Sequence, residues 1–268
     1  MVNHEFFREC VSIMEKNGID SAYFDTKCIF EDFPNDESKI LSLVKKRSEG
    51  YPLQYLLGQW EFYGYPFKVN ENVLIPRADT ELIIENVLEI CRKNNLTSPK
   101  IADLCSGSGC IAITLKKQIP SAEVYAMEIS KKAVEIIHSN AVLNNVEINI
   151  LNDDVLNPET ENLPIFDIIV SNPPYLTQQE MDTLQKEVTF EPSLALFGGA
   201  DGLDFYRRMT SVWKNFLRKD GWLIYESGDG QHEDIKNILG KNNFYNITLS
   251  RDLNNIIRNV TAQKSEEM

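Results

Sequence analysis

The stretch KIADLCSGSGCIAI, residues 100–113, decides the fold. An apolar run at 100–104 gives way at once to a turn with two glycines and then to a helical pattern. Glycine permits positive φ and lets the backbone approach a ligand closely, which is the use expected of Gly107 and Gly109. The helix expected at 109–118 then opens with free N–H groups that suit a carboxylate or a phosphate. The alternation continues downstream. Strand patterns occur at 123–127, 147–151 and 166–171, with helices at 109–118 and 131–143 between the first three. A helix near 203–217, a strand at 222–226, a helix near 231–239 and a strand at 244–249 follow. Such alternation predicts an α/β fold with a parallel sheet and helices on both faces. Ligands in sheets of this kind bind beyond the C-terminal strand ends.

Upstream, residues 1–58 read as a small helical unit. Phe6, Phe7, Cys10, Ile13 and Met14 recur at helical spacing until Asn17-Gly18 stops them. DESKILSLVKKRSEG, residues 36–50, is a second helix, and Pro52 opens a third, short one. Residues 59–76 are different: aromatic and β-branched residues around Gly64 and Pro66 predict a linking hairpin. An amphipathic helix then follows PRADTE, with Asp79 or Thr80 as its expected cap. The expected division is therefore a helical domain at 1–58, a hairpin linker at 59–76 and an α/β domain at 77–268. The tail QKSEEM, residues 263–268, is expected to fray.

Composition narrows the function. With 27 Lys and Arg against 40 Asp and Glu in 268 residues, the net charge is −13, which opposes binding that depends on neutralising phosphates. The one compact basic run, Lys45-Lys46-Arg47, reads as a solvated helix end. Five cysteines without a CxxC pair suggest free thiols, and His4, His138 and His232 are too scattered for a metal site. No apolar run approaches the ~18 residues a bilayer span needs. The N-terminus lacks the apolar stretch of a secretory signal. The expectation is a cytoplasmic protein with no metal, no membrane and no direct nucleic-acid contact.

The strand ends carry the chemistry. Asp103 and Leu104 close the first strand, ahead of Cys105, Ser106, Gly107, Ser108 and Gly109. Glu128 closes the second, where a carboxylate can accept from both hydroxyls of a ribose. Asp154 and Val155 follow the third, where an acid can accept from an adenine amino group and an apolar neighbour can pack on its ring. Each has a plainer alternative: a steric turn, a solvated acid, an Asx turn. The pattern also satisfies a dinucleotide fingerprint, so a nucleotide-cofactor oxidoreductase remains open at this point.

The fourth strand ends in FDIIVSNPPYL, residues 166–176. Asn172 precedes a proline and is held away from the helical region. Pro173 and Pro174 have fixed φ and no N–H. The chain must leave the sheet as a stiff elbow. The Asn172 side-chain oxygen and the Pro173 carbonyl can then face one cavity as two acceptors, and Tyr175 can offer a flat face. Their natural guest is an NH2 group. An amide nitrogen is a poor nucleophile, and two acceptors gripping its protons orient it and return electron density to it. Methyl transfer to an amide or exocyclic amine then needs only approach and alignment.

With these motifs in view, the chain resembles the HemK-like, PrmC-type protein-(glutamine-N5) methyltransferases. The resemblance rests on GQWEFYGYPFKVNENVLIPRADTELIIE, DLCSGSGCIAI, VSNPPYL and FEPSLALFGGADGL. It implies a class I S-adenosylmethionine-dependent methyltransferase fold, a Rossmann-like seven-stranded mixed sheet behind a helical N-terminal domain. It implies S-adenosylmethionine as donor, S-adenosylhomocysteine as product, and the glutamine of the Gly-Gly-Gln tripeptide of class 1 peptide chain release factors as acceptor. By position, residues 105–109 would hold the methionine end, Glu128 the ribose, Asp154 and Val155 the adenine, and residues 172–175 the glutamine amide. Arg77, Glu81, Glu191 and Pro192 would shape the acceptor side. The chain departs from the usual pattern at CSGSG, at Glu128 in place of Asp, and in RDLNNIIRNV, which lacks a glycine before its arginine. Glutamine methylation of a ribosomal protein, adenine-N6 methylation of nucleic acid, an NAD-dependent oxidoreductase and a non-catalytic nucleoside-binding module are the remaining alternatives.

Overall fold

The computed structural model describes residues 4–159, 161 and 163–265. Four helices come first: α1 (His4–Lys16), α2 (Ala22–Asp32), α3 (Glu37–Ser48) and α4 (Leu53–Leu57). They pack on a cluster of their own that includes Cys10, Met14, Ile29, Ile40 and Val44. The hairpin β1 (Gln59–Phe62) and β2 (Tyr65–Lys68) follows, turning at Tyr63-Gly64 with both φ positive, as the twist of a two-residue hairpin turn requires. Next is α5 (Glu81–Lys93), then an alternating run: β3 (Lys100–Leu104), α6 (Cys110–Gln118), β4 (Glu123–Glu128), α7 (Lys131–Leu143), β5 (Asn149–Asn152) and β6 (Phe166–Ser171). The chain closes with α8 (Gln178–Met181), α9 (Asp204–Trp213), β7 (Leu217–Glu226), α10 (His232–Lys241), β8 (Phe244–Arg251) and β9 (Ile257–Lys264).

The seven strands β3–β9 form one sheet in the order β5-β4-β3-β6-β7-β9-β8. The pairs from β5 to β7 are parallel, and β9 runs antiparallel between β7 and β8. The central strands are apolar on both faces because both faces are covered. Ile101, Ile168, Val170 and Ile224 pack toward α5 and α6. Ala102, Phe166, Ile169 and Leu223 pack toward Tyr206 and Trp213 of α9 and Ile235 and Leu239 of α10. At ~1.5–3 kcal/mol for each large apolar side chain buried, these two layers hold the sheet.

Four expectations change. The strand β9 was not legible, and Gln263 and Lys264 of the supposedly frayed tail pair within it; residues 266–268 lie outside the described residues. Helix α2 adds a fourth N-terminal helix. Neither Asp79 nor Thr80 caps α5 with its side chain; Asp79 instead pairs with Arg258 at 3.0 Å. Arg47 is not solvated: at 3% exposure its Nε donates to Asp25 Oδ2 at 2.6 Å and its guanidinium reaches Glu187 Oε1 at 2.6 Å. It ties α2 and α3 to a segment 140 residues further on.

Taking away one member of a buried ion pair strands the other charge. Among the described residues, Arg47→Met leaves the Asp25 side chain with only the Ser21 hydroxyl, so unfolding in urea should show a loss of about 3 kcal/mol. The double variant Asp25→Leu/Arg47→Met should recover most of it. An unchanged midpoint for Arg47→Met would contradict this role.

Candidate active site

Strands β5, β4, β3 and β6 end along one edge of the sheet, and the segments after them border a cleft of about 210 Å3. Cys105 and Gly107 come from the turn after β3 and Glu128 from the end of β4. Asp154 and Val155 come from the turn after β5, and Asn172 and Pro174 from the elbow after β6. The facing wall is Asn72, Val73 and Leu74 from the segment beyond the hairpin, with Pro192, Leu194 and Ala195. Four separate strand ends read in the sequence thus meet in one place.

Glu128 is held by two backbone donors. Its Oε2 accepts from Gly107 N at 2.9 Å and its Oε1 from Ser130 N at 2.8 Å. Each carboxylate oxygen keeps a further lone pair, so the fixed group can still accept from a diol. The extra methylene relative to Asp lets one side chain brace both the glycine turn and the start of α7. Asp154 makes the Asx turn weighed as its alternative, with Oδ1 accepting from Leu156 N at 2.8 Å. It also lines the cleft, so the two readings are compatible. The turn is anchored from α9, where Trp213 Nε1 donates to Val155 O at 2.8 Å.

The glycine turn divides its residues. Cys105 lies at φ 60°, a left-handed conformation that costs a side-chain-bearing residue about 1–2 kcal/mol. Ser106, Ser108 and Gly109 are buried beneath the turn and do not line the cleft. Asn140 clamps this region: its Nδ2 donates to Ser108 O at 2.9 Å and to Lys68 O at 3.0 Å, and its Oδ1 accepts from Lys68 N at 2.7 Å. Asp103 is also behind the cleft. Its Oδ2 accepts from Ala112 N at 3.2 Å, which takes one of the α6 N–H groups expected to be free. Its Oδ1 is buried with no partner among the described residues. Burial pushes the Asp103 carboxyl up to about 7, opposed by the nearby Ser106 hydroxyl, which donates to the Asp103 main-chain carbonyl at 2.7 Å, and by the Ala112 N–H.

The elbow is wrapped on its outer side by the LFGGADGL stretch. Leu176 N donates to Leu196 O at 2.8 Å, and Gly198 N donates to Leu176 O at 2.8 Å. A Cβ on Gly198 would fall 2.6 Å from Tyr175 Cα, and one on Gly202 would fall 2.2 Å from Tyr175 O. Gln231 Nε2 donates to Tyr175 O at 2.9 Å. Asn172 Nδ2 donates to Thr80 Oγ1 at 3.2 Å. Pro173 and Tyr175 are not among the residues lining the cleft. Tyr175 packs toward the α9 layer, and burial, with Glu226 nearby, pushes its hydroxyl up to about 12.

On the facing wall, Glu191 Oε2 accepts from Ile75 N at 3.1 Å while Oε1 pairs with the Arg77 guanidinium. This brace holds the 72–77 segment beside Pro192. Glu81 is elsewhere: its carboxylate accepts from Tyr63 N at 2.8 Å and fastens the hairpin turn. Asn140, Trp213 and a site role for Thr80 and the Asn72–Leu74 segment were not singled out in the sequence. Thr80, Asn140 and Trp213 act through contacts 58 to 92 residues away, and the Asn72–Leu74 segment lines the cleft without a motif of its own.

The sheet order and the cleft at its C-terminal edge define a class I S-adenosylmethionine-dependent methyltransferase fold. Residues 79–194 match the Methyltransferase small domain family. Among solved structures, a methyltransferase from Pyrococcus furiosus has a TM-score of 0.57 at 15% identity, covering 87% of this chain and 99% of that one. The T. thermophilus 16S rRNA N2 G1207 methyltransferase (RsmC), solved with AdoMet and guanosine, has a TM-score of 0.55 at 18% identity, covering 77% of this chain and 49% of that one. Among curated proteins, the release factor glutamine methyltransferase of Fusobacterium nucleatum subsp. nucleatum is 35% identical over 98% of this chain and 79% of its own length. The chain belongs to the release factor glutamine methyltransferase family. Among the described residues no helix is long and apolar enough to cross a membrane, and no cluster of side chains is arranged to hold a metal ion.

Two outcomes test this geometry. A buried carboxyl whose native value lies above its unfolded value favours the fold at low pH and loses that contribution as pH rises through about 7. The melting temperature of Asp103→Asn, measured against the parent, should therefore move in favour of the variant between pH 5 and pH 8. A difference that does not change with pH would contradict the assignment. Separately, Gly198→Ala should cost about 1–3 kcal/mol of stability by overpacking the elbow; calorimetric melting checks this, and a neutral substitution would show that the elbow yields.

Proposed function

We propose that this protein transfers a methyl group from S-adenosylmethionine to the side-chain amide nitrogen of the glutamine in the Gly-Gly-Gln tripeptide of class 1 peptide chain release factors. One observation carries the reading: the proline elbow after β6 opens on the same cleft as Glu128, in a chain of this family. S-adenosylmethionine, when bound, supplies an electrophilic methyl group on a sulfonium. The residues present fit it. Glu128 is preset to accept from ribose hydroxyls. Asp154, Val155 and Ile129 give the cleft a polar edge and an apolar wall for adenine. Cys105 and Gly107 border the methionine end.

The chain's own part in catalysis is alignment. Asn172 Oδ1 and the Pro173 carbonyl accept hydrogen bonds from the two N–H groups of the glutamine amide. Pro173 and Pro174 keep those acceptors from rotating, so the nitrogen lone pair is oriented before reaction. Tyr175 braces the elbow from the α9 side. Arg77 and Glu191 hold the 72–77 wall against Pro192, which closes the acceptor side away from water, and Glu81 supports that wall through the hairpin. Residues 1–58 act as the recognition domain and 59–76 as its linker to the catalytic domain at 77–268. A tripeptide pocket alone is far smaller than a specific protein interface, which buries about 800 Å2 per partner. The partner is the release factor, in the cytoplasm. The charge of −13 argues against direct binding to nucleic acid.

The test is incubation with recombinant release factor and labelled donor, followed by tandem mass spectrometry. The methyl should map to the Gly-Gly-Gln glutamine. Label in nucleic acid or in another protein, with none in the release factor, would overturn the reading. Asn172→Ala should abolish transfer while calorimetry still detects donor binding; an active Asn172→Ala enzyme would remove the elbow from the mechanism.

A further inference from the structure

The elbow mechanism leaves one question open in its own terms. A carboxamide has two faces of similar shape, one an acceptor and one a donor. Asn172 serves the proposed reaction only if its oxygen faces the guest. An NH2 turned that way would confront another NH2. Something must choose between the two orientations.

Behind Asn172 lie polar side chains that have no part in the mechanism above. Asn172 Nδ2 donates to Thr80 Oγ1 at 3.2 Å. Thr80 is 3% exposed and sits just ahead of α5. The carboxylate of Glu226, the last residue of β7, lies beside the Thr80 hydroxyl, which favours its ionised form. Glu226 is also 3% exposed, and its Oε2 is buried with no partner among the described residues. A hydroxyl has one proton to give and two lone pairs to offer. When the carboxylate takes the Thr80 proton, the Thr80 oxygen can meet Asn172 only as an acceptor.

We propose that Thr80 and Glu226 are positioning residues that set the orientation of the Asn172 carboxamide. Ionised Glu226 fixes the direction of the Thr80 hydroxyl, Thr80 holds Asn172 Nδ2, and Asn172 Oδ1 is thereby left to face the acceptor amide. This inference rests on the function proposed above. A protonated Glu226 can donate to Thr80 instead. The Thr80 proton is then free to serve Asn172 Oδ1, and the flipped, unproductive amide is no longer excluded. Methyl transfer should therefore require the ionised carboxylate.

The surroundings keep that ionisation in an accessible range. Burial is the largest influence and pushes the Glu226 carboxyl up to about 7; the Thr80 hydroxyl opposes it, Asp79 adds to the rise, and Arg258 and Arg77 oppose it. Tyr175 of the elbow, Tyr206 of α9 and Cys110 of α6 also feel the Glu226 charge. The carboxylate further lies near the start of α5, whose N-terminal N–H groups favour negative charge. Asp103 is pushed to about 7 as well, so a pH profile needs the Glu226 variant to separate the two groups.

Transfer from S-adenosylmethionine to release factor should be followed from about pH 5.5 to 9 for the parent, Thr80→Val, Thr80→Ser and Glu226→Gln. The parent kcat should rise with pH through about 7, and Glu226→Gln should lose that rise. Thr80→Val keeps the shape of the side chain and removes the hydroxyl. It should lower kcat roughly tenfold to a hundredfold, as misplacement of a reacting group does, with the calorimetric affinity for S-adenosylmethionine unchanged. Thr80→Ser should restore most of the rate. A purely structural role would lower the melting temperature of Thr80→Val and leave its kcat and the Glu226→Gln profile at parent values; that result overturns the proposal. The side-chain amide signals of Asn172 in 15N NMR need no methyl transfer. They should titrate through about 7 in the parent and not in Glu226→Gln, and signals indifferent to pH in both would overturn the proposal. If the parent moves no methyl to the release factor, the functional reading has failed. If the parent is active and the variants are indifferent, only this positioning role has failed.

Discussion

Asn172, Pro173 and Pro174 leave the end of β6 with little rotational freedom, and the C-terminal edge of the sheet is arranged around that stiffness. Proline fixes φ from inside the chain. Gly198 and Gly202 press on the elbow from outside, with no room for a Cβ at either position. Gln231 holds the Tyr175 carbonyl, and Thr80 holds the Asn172 amide nitrogen. A side chain so enclosed does not need to be ordered again by a ligand. That matters for a reaction in which the protein's contribution is alignment.

The cleft beside the elbow is built in the same way. Glu128 joins the glycine turn to the start of α7 through two backbone N–H groups. Asn140 joins that turn to the hairpin. Glu191 joins the segment beyond the hairpin to the Pro192 loop. Buried polar side chains make each of these joints, and each joint fixes backbone from two distant parts of the chain. Within a methyltransferase small domain fold, such cross-bracing turns a set of strand ends into one cavity of defined shape.

Much of this was legible beforehand, for a physical reason. Strand ends stand out where a polar or glycine residue interrupts an apolar run, as at Asp103, Glu128, Asp154 and Asn172. What stayed hidden depends on tertiary context. In β9 the residues Asn259, Thr261 and Gln263 are polar yet buried, so Ile257, Val260 and Ala262 form no regular period-two apolar pattern that reads as a strand. Arg47 sits in a basic helix end that looks solvated; its partners lie 22 residues before and 140 after. Thr80 looked like a helix cap and Glu81 like a site residue, and each turned out to bond across the fold instead. Asp103 closes the right strand but points beneath α6 rather than into the cleft.

The central claim concerns two oxygen atoms and one amide, and a crystal structure addresses it directly. The protein would be crystallised with S-adenosylhomocysteine and a peptide containing Gly-Gly-Gln. The glutamine nitrogen should lie within hydrogen-bonding distance of both Asn172 Oδ1 and the Pro173 carbonyl, facing the sulfur of the bound nucleoside. A peptide seated elsewhere, or an Asn172 oxygen turned from the sulfur with the space between them closed, would contradict the claim.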